Sequence, residues 1–304
     1  MAFSEAYRRQ VTFLVRTLPF IAAEPCFAMK GGTAINLFVR DLPRLSVDID
    51  LTYLPIQARE ASLAEIEAAL KRITGRIAKG ISEAQIQAGK SREGILTKLV
   101  VRGDTQPIKI EVTPVLRGSV FDAEVRTVAP AVEEALGFAE IQIVSFPDLY
   151  AGKIVAALDR QHPRDLFDIR ELLAEEGIDG ALRQAFIVYL LSHNRPMGEV
   201  LASPQKDIAQ EFERGFIGMT REPVKLEDLI AARKALVADI IGAMPDTHRA
   251  FLLSFERGEP DWALLGIDIA PRLPAIRWRQ QNLDKLSRLA RAKLVAELDK
   301  ALSQ

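Results

Sequence analysis

The stretch "RLSVDIDL", residues 44–51, places two aspartates one residue apart in an otherwise apolar run. Strand interiors are poor in Asp, whose short polar side chain favours turns and caps. In a strand, successive side chains alternate between faces. Val47, Ile49, Leu51 and Tyr53 then take the core face, and Ser46, Asp48, Asp50 and Thr52 take the other. Asp48 and Asp50 would lie roughly 7 Å apart at Cα, from a rise of ~3.3 Å per residue. Ionised carboxylates so close repel, and a hard cation such as Mg²⁺ between them removes the repulsion. A sheet with one solvated polar face explains the same alternation equally well.

"IKIEV", residues 108–112, repeats the pattern: Ile108, Ile110 and Val112 face the core, and Lys109 and Glu111 the other side. If this run pairs beside the aspartates, Glu111 becomes a third carboxylate on their face. Three carboxylates suit two Mg²⁺ ions about 4 Å apart, the arrangement used in phosphoryl and nucleotidyl transfer. "KGGT", residues 30–33, precedes a short apolar helix. Backbone N–H groups at such a turn bind phosphate oxygens, and glycine permits close approach. A plain glycine turn reads the same way. Neither the P-loop order nor a dinucleotide fingerprint is present.

Around these motifs the chain mixes periods and then turns helical. Residues 4–18 are expected to form a helix, with Tyr7, Val11, Leu14 and Leu18 on one side. Residues 56–80 are expected to form an amphipathic helix, and 94–102 with 108–112 a hairpin about "GDTQP". "EIQIVS" (140–145) reads as a last strand. Ser145 then caps a helix, and Gly177 closes the next one, which begins at "PRDLFD". Helices are expected near 179–192, 225–242 and 281–302, the last with a stripe of Leu283, Leu286, Leu289 and Leu294. Residues 258–278 read as a proline-containing surface segment. A composition shift divides the chain into residues 1–125, carrying the carboxylates, and a mainly helical 126–304.

Composition bounds the function. The 304 residues are 48% hydrophobic and carry 40 basic against 41 acidic side chains. No global basic field exists, so nucleic-acid binding would need a local patch. Residues 272–294 supply one, with Trp278 interleaved, although a solvated helix face is the plainer reading. The single cysteine, Cys26, fits a reducing, cytoplasmic setting, and no apolar run reaches the ~18 residues of a membrane span. His162, His193 and His248 lack zinc-ligand spacing.

Taken together, "FAMKGGTAINLFVRDLPRLSVDIDLTYL", "IKIEVTP" and "KIVAALDRQHPRDLFDI" resemble the AbiEii/AbiGii nucleotidyltransferase toxins, within the DNA polymerase β-like superfamily. The resemblance implies an α+β fold, with a nucleotidyltransferase domain on a small mixed sheet and a mainly helical C-terminal domain. It implies a Mg²⁺-dependent toxin of a toxin–antitoxin or abortive-infection (phage defence) system. The reaction implied is nucleotide transfer from an NTP to RNA, tRNA first among the acceptors, with an antitoxin encoded nearby. Carried onto this chain, Asp48, Asp50 and Glu111 would hold metal. Lys30, Gly31, Gly32, Thr33, Ser46 and Arg164 would bind nucleotide, and Lys153 and Asp168 would join the catalytic set. Lys153 and Arg160, seven apart, would bring positive charge to the triphosphate. Two other readings remain: a catalytically silent nucleotide-binding partner, and a transferase acting on a small-molecule hydroxyl.

Overall fold

The computed structural model describes residues 4–91, 93–104 and 106–303. Thr105, in the expected hairpin turn, and the first three residues lie outside the described residues. The chain divides into two compact units: Met1–Ser145 with Ile217–Pro223, and Phe146–Phe216 with Val224–Gln304.

The first unit is built on a seven-stranded mixed sheet. Helix α1 (Glu5–Ala22) starts at Ser4, whose side chain accepts from the Tyr7 N–H, and buries Val11, Leu14, Leu18 and Ile21. Strand β1 (Phe27–Lys30) runs into helix α2 (Gly31–Ala34), which widens into a π-turn at Ile35–Val39. Then follow β2 (Asp48–Tyr53), α3 (Arg59–Gly80), β3 (Gln85–Lys90), β4 (Leu96–Arg102), β5 (Ile108–Arg117), β6 (Glu124–Thr127), α4 (Pro130–Leu136) and β7 (Glu140–Ile143). The strand order is β3-β4-β5-β2-β1-β7-β6. β4 and β5 form the expected antiparallel hairpin, and β5 lies parallel to β2. Parallel neighbours need a long crossover, here supplied by α3 and the β3–β4 pair. Of the expected core face Ile49, Leu51, Tyr53, Ile108 and Ile110 are fully buried, while Val47, ahead of β2, is half-buried, and Ser46 and Thr52, expected on the other face, are buried as well.

The boundary expected at residue 125 falls inside β6. β6 pairs with β7, and β7 pairs with β1, so the sheet extends to residue 143. A second segment returns to this unit. Leu45 N–H donates to the Met219 carbonyl at 2.9 Å, Arg221 N–H donates to Pro43 at 2.8 Å, and Arg44 bridges Thr220.

The second unit is helical: α5 (Phe146–Asp159), α6 (Pro163–Glu175), α7 (Gly180–Leu191), α8 (Met197–Leu201), α9 (Ala209–Gly215), α10 (Leu226–Val237), α11 (Asp246–Arg257), α12 (Pro274–Asp284) and α13 (Arg288–Leu302). α5 lies against α7, and α6 against α10. Gly177, at φ +70°, closes α6 as expected, its N–H on the Leu172 carbonyl. The helix expected over 281–302 is instead two. Ser287 caps α13 by accepting from the Ala290 N–H, which ends the first helix at Asp284. The leucine stripe is split accordingly: Leu283 is buried, while Leu289 is 83% exposed. Residues 258–278 are not a loose surface segment either, because Leu265, Ala270, Leu273 and Ile276 are buried and Pro274 opens α12. No helix among the described residues is long and apolar enough to cross a membrane.

Candidate active site

In the first unit the site residues collect at the start of β2 and the β1–α2 turn. Pairing sets one row across four strands. Lys98 of β4 is opposite Glu111 of β5, Glu111 opposite Asp50 of β2, and Asp50 opposite Lys30 of β1. Paired residues share a face, so two acids lie between two lysines. Asp48, two residues before Asp50, shares that face and pairs with Lys109.

Each member of the row has a definite engagement. Lys98 Nζ forms an ion pair with Glu111. Lys30 reaches over β2 and donates from Nζ to Thr113 Oγ1 at 3.2 Å. Burial pushes the Lys30 amine below its usual range, against the opposing pull of Asp50. The Asp48, Asp50 and Glu111 oxygens are not gathered within 4.8 Å of one another; among the described residues, Glu24, Cys26 and Glu65 are the trio that is. That trio is an ion-pair knot, since Arg72 binds both glutamates and Arg76 binds Glu24.

The glycines fit against this row. Gly31 has φ +78°, a left-handed conformation that side chains resist. A Cβ there would stand 2.7 Å from Asp50 Oδ2. A Cβ on Gly32 would stand 2.7 Å from Arg44 Nη2 and 3.1 Å from Ser46 Oγ. Thr33 is buried; its hydroxyl donates to the Asp48 carbonyl and lies 2.9 Å from Ser46 Oγ. Asn36 Nδ2 donates to the Gly32 carbonyl at 2.8 Å and pins the turn. The sequence reading thus brought together Lys30, Gly31, Gly32, Thr33, Ser46, Asp48, Asp50 and Glu111 within one unit.

It missed two neighbours. Arg44 is 1% exposed, with Nη1 on the Leu45 carbonyl at 3.0 Å and Nη2 beside Gly32. The signal was its place two residues before Ser46. Lys98 could have been found by counting the hairpin back from Val101 opposite Ile108.

In the second unit, α5 and α6 bring a separate cluster together. Lys153 Nζ lies 2.8 Å from Asp165 Oδ1 and 3.0 Å from Asp168 Oδ2, with all three residues buried. Arg160 grips Asp165 through Nε at 2.6 Å and Nη2 at 3.0 Å. Burial raises the Asp165 carboxyl, but Lys153 and Arg160 outweigh it and hold the group far below its ordinary range. Lys153 and Arg160 both bind Asp165, and Lys153 also binds Asp168. Arg164 is half-buried at the start of α6, its N–H on His162 Nδ1.

A solved structure with this architecture is MenT4, a nucleotidyltransferase toxin from Mycobacterium tuberculosis H37Rv. It matches at 15% identity and a TM-score of 0.59, over 97% of this chain and 94% of that one. At that identity the likeness concerns the fold, and the fold is that of a nucleotidyltransferase. The family model for the nucleotidyl transferase AbiEii toxin of type IV toxin–antitoxin systems matches residues 12–282, and the chain belongs to that family. It is a nucleotidyltransferase toxin, an enzyme whose substrate is an NTP and whose partner is an antitoxin. No curated protein sequence matches it.

Proposed function

We propose that this toxin transfers a nucleotide from an NTP to the 3′-hydroxyl of an RNA, tRNA being the foremost acceptor, in a Mg²⁺-dependent reaction. The observation that carries this reading is Asp50. Its carboxylate stands against a left-handed glycine on one side and in register with Glu111 on the other.

The donors suit a hard divalent cation: carboxylate oxygens of Asp48 and Asp50 on one strand face, with Glu111 beside them. The Asp50 carboxylate packs against Gly31, where a Cβ would stand 2.7 Å from Oδ2. When bound, Mg²⁺ supplies Lewis acidity toward phosphate oxygens and the attacking hydroxyl. The remaining work falls to the chain. Backbone N–H groups of Gly31, Gly32 and Thr33 cradle phosphate oxygens, joined by the Ser46 hydroxyl and Lys30. The RNA 3′-oxygen attacks the α-phosphorus as the bond to pyrophosphate breaks, and Asp50 or Glu111 accepts the hydroxyl proton. Lys153 and Asp168, ion-paired within the helical unit, are the further members of the catalytic set in this reading. The single thiol, Cys26, fits a cytoplasmic setting, and the antitoxin would be encoded nearby.

The test is direct. Purified protein is incubated with Mg²⁺, each α-³²P-labelled NTP in turn and total cellular RNA, beside Asp48→Ala. The expected outcome is a labelled RNA band with the wild type, which Asp48→Ala reduces at least a hundredfold while its circular dichroism melt stays unchanged. Transfer retained by Asp48→Ala would sink the assignment. Label on a small hydroxylated molecule instead of RNA would replace the acceptor.

A further inference from the structure

Residues 272–294 carry seven Lys or Arg side chains and one acid, Asp284, in a chain whose net charge is −1. Arg272, Arg277, Lys285, Arg288 and Lys293 are exposed. Arg279 and Arg291 are not part of that surface; they are held inward on backbone carbonyls of residues 193, 195, 257 and 283, and Arg291 also pairs with one oxygen of Asp284 at 3.5 Å, leaving the other to a ligand. The sorting matters, since only exposed cations can exchange counterions for phosphates.

Trp278 of α12 is 57% exposed, with Lys285 Nζ 5.6 Å from its ring centroid. These two are seven apart and share one stripe. On the adjacent stripe, Arg277, Gln281 and Asp284 border a cavity of about 290 Å³, backed by Phe255 and Leu283. That volume is close to the ~300 Å³ lower end of small-ligand sites. Gly258 closes the far wall at φ +87°, and Arg291 fills the space its side chain would need. An apolar floor, an amide that both donates and accepts, a carboxylate and a guanidinium at the rim match one nucleobase with its phosphate.

We propose that this face of α12 and the start of α13 docks an unpaired stretch of RNA. One base stacks on the Trp278 indole. A neighbouring base enters the cavity, its edge on the Gln281 amide and its exocyclic amine donating to Asp284. Phosphates follow Arg277, Lys285 and Arg288. An exposed indole beside several cations and one acid fits a polyanion with aromatic bases better than a protein surface. The inference deepens the RNA-acceptor reading and rests on it.

The experiment follows fluorescence anisotropy of a dye-labelled tRNA transcript with a single-stranded 3′ tail, across a salt series, on the full chain. The triple variant Arg277→Ala/Lys285→Ala/Arg288→Ala should weaken binding at least tenfold at low salt. Its slope of log K against log salt should fall by about 2–3, at 0.7–0.9 per lost phosphate contact. Trp278→Ala should weaken binding about fivefold or more at unchanged slope, and Trp278→Phe should restore most of it. Thermal melts and NTP binding should match the wild type in every variant. Wild-type affinity and slope in the triple variant and in Trp278→Ala would overturn the docking face, while ³²P transfer to RNA would still stand on its own. A wild-type protein that neither binds nor labels RNA would bring down both.

Discussion

At the scale of single residues, two glycines do what no other residue could. Gly31 holds φ +78° and lets the Asp50 carboxylate pack against it, and Gly32 makes room for the Arg44 guanidinium and Ser46. Gly31→Ala meets both obstacles together. The left-handed backbone costs about 1–2 kcal/mol for an L side chain, and the methyl would stand 2.7 Å from Asp50 Oδ2 and displace it. The expected outcome is a melting temperature lowered by several degrees and transfer reduced at least tenfold, read from a calorimetric scan and the labelled-RNA assay. Gly137→Ala is the matched control: it also has positive φ, φ +105°, but nothing lies within 4 Å of the added Cβ. It should lose stability and keep transfer. Equal transfer in the two variants would mean that the space at Asp50 is immaterial.

At the scale of elements, legibility followed burial. β2 and β5 announced themselves because one face is fully apolar, so period-two alternation fixed which side Asp48, Asp50 and Glu111 take. β3 and β6 were missed because each lies at an edge of the sheet and has almost no buried residue, as in "QIQAGK". With no buried face, alternation carries no signal. The break between α12 and α13 was missed for a different reason. Leucines at 283, 286 and 289 keep helical spacing, and only the cap at Ser287 marks the stop. Lys98 shows what register adds to alternation. Its ion pair ties Glu111 of β5 to β4. A cation drawn to Asp50 and Glu111 must compete with that ammonium. One unit charge at 4 Å is worth about 1 kcal/mol in water-like surroundings, a factor of about five in affinity. Lys98→Met should therefore bind Mn²⁺ about fivefold more tightly by isothermal calorimetry, and Lys98→Arg should not. Unchanged affinity in Lys98→Met would separate Glu111 from the metal site.

At the scale of the whole molecule, the chain order of the first unit differs from its spatial order. Residues 217–223 leave the helical unit and lie along 43–45, the segment leading into the Asp-x-Asp strand. Nothing in their sequence, "IGMTREP", advertises this, because the contact is a single bridge of two backbone hydrogen bonds, with Arg221 Nη2 on the Asp41 carbonyl, rather than a strand with a pattern. They nevertheless cover Arg44, a fully buried arginine, and Met219 and Thr220 are themselves buried there. A chain ending at residue 145 would keep all seven strands and lose this cover. The Leu45 N–H and the Pro43 carbonyl would lose their partners, at about 1–3 kcal/mol for each buried group left unsatisfied. Against a total stability of about 5–15 kcal/mol for a domain, that loss is a large fraction. Residues 1–145 alone should give a broad, low-temperature melt, with fast hydrogen exchange at 43–46. Rejoining 217–223 to residue 145 through a flexible glycine–serine linker should restore a cooperative melt. If 1–145 melts as cooperatively as the rejoined chain, the returning segment is dispensable, and the approach to the aspartates is held by the sheet alone.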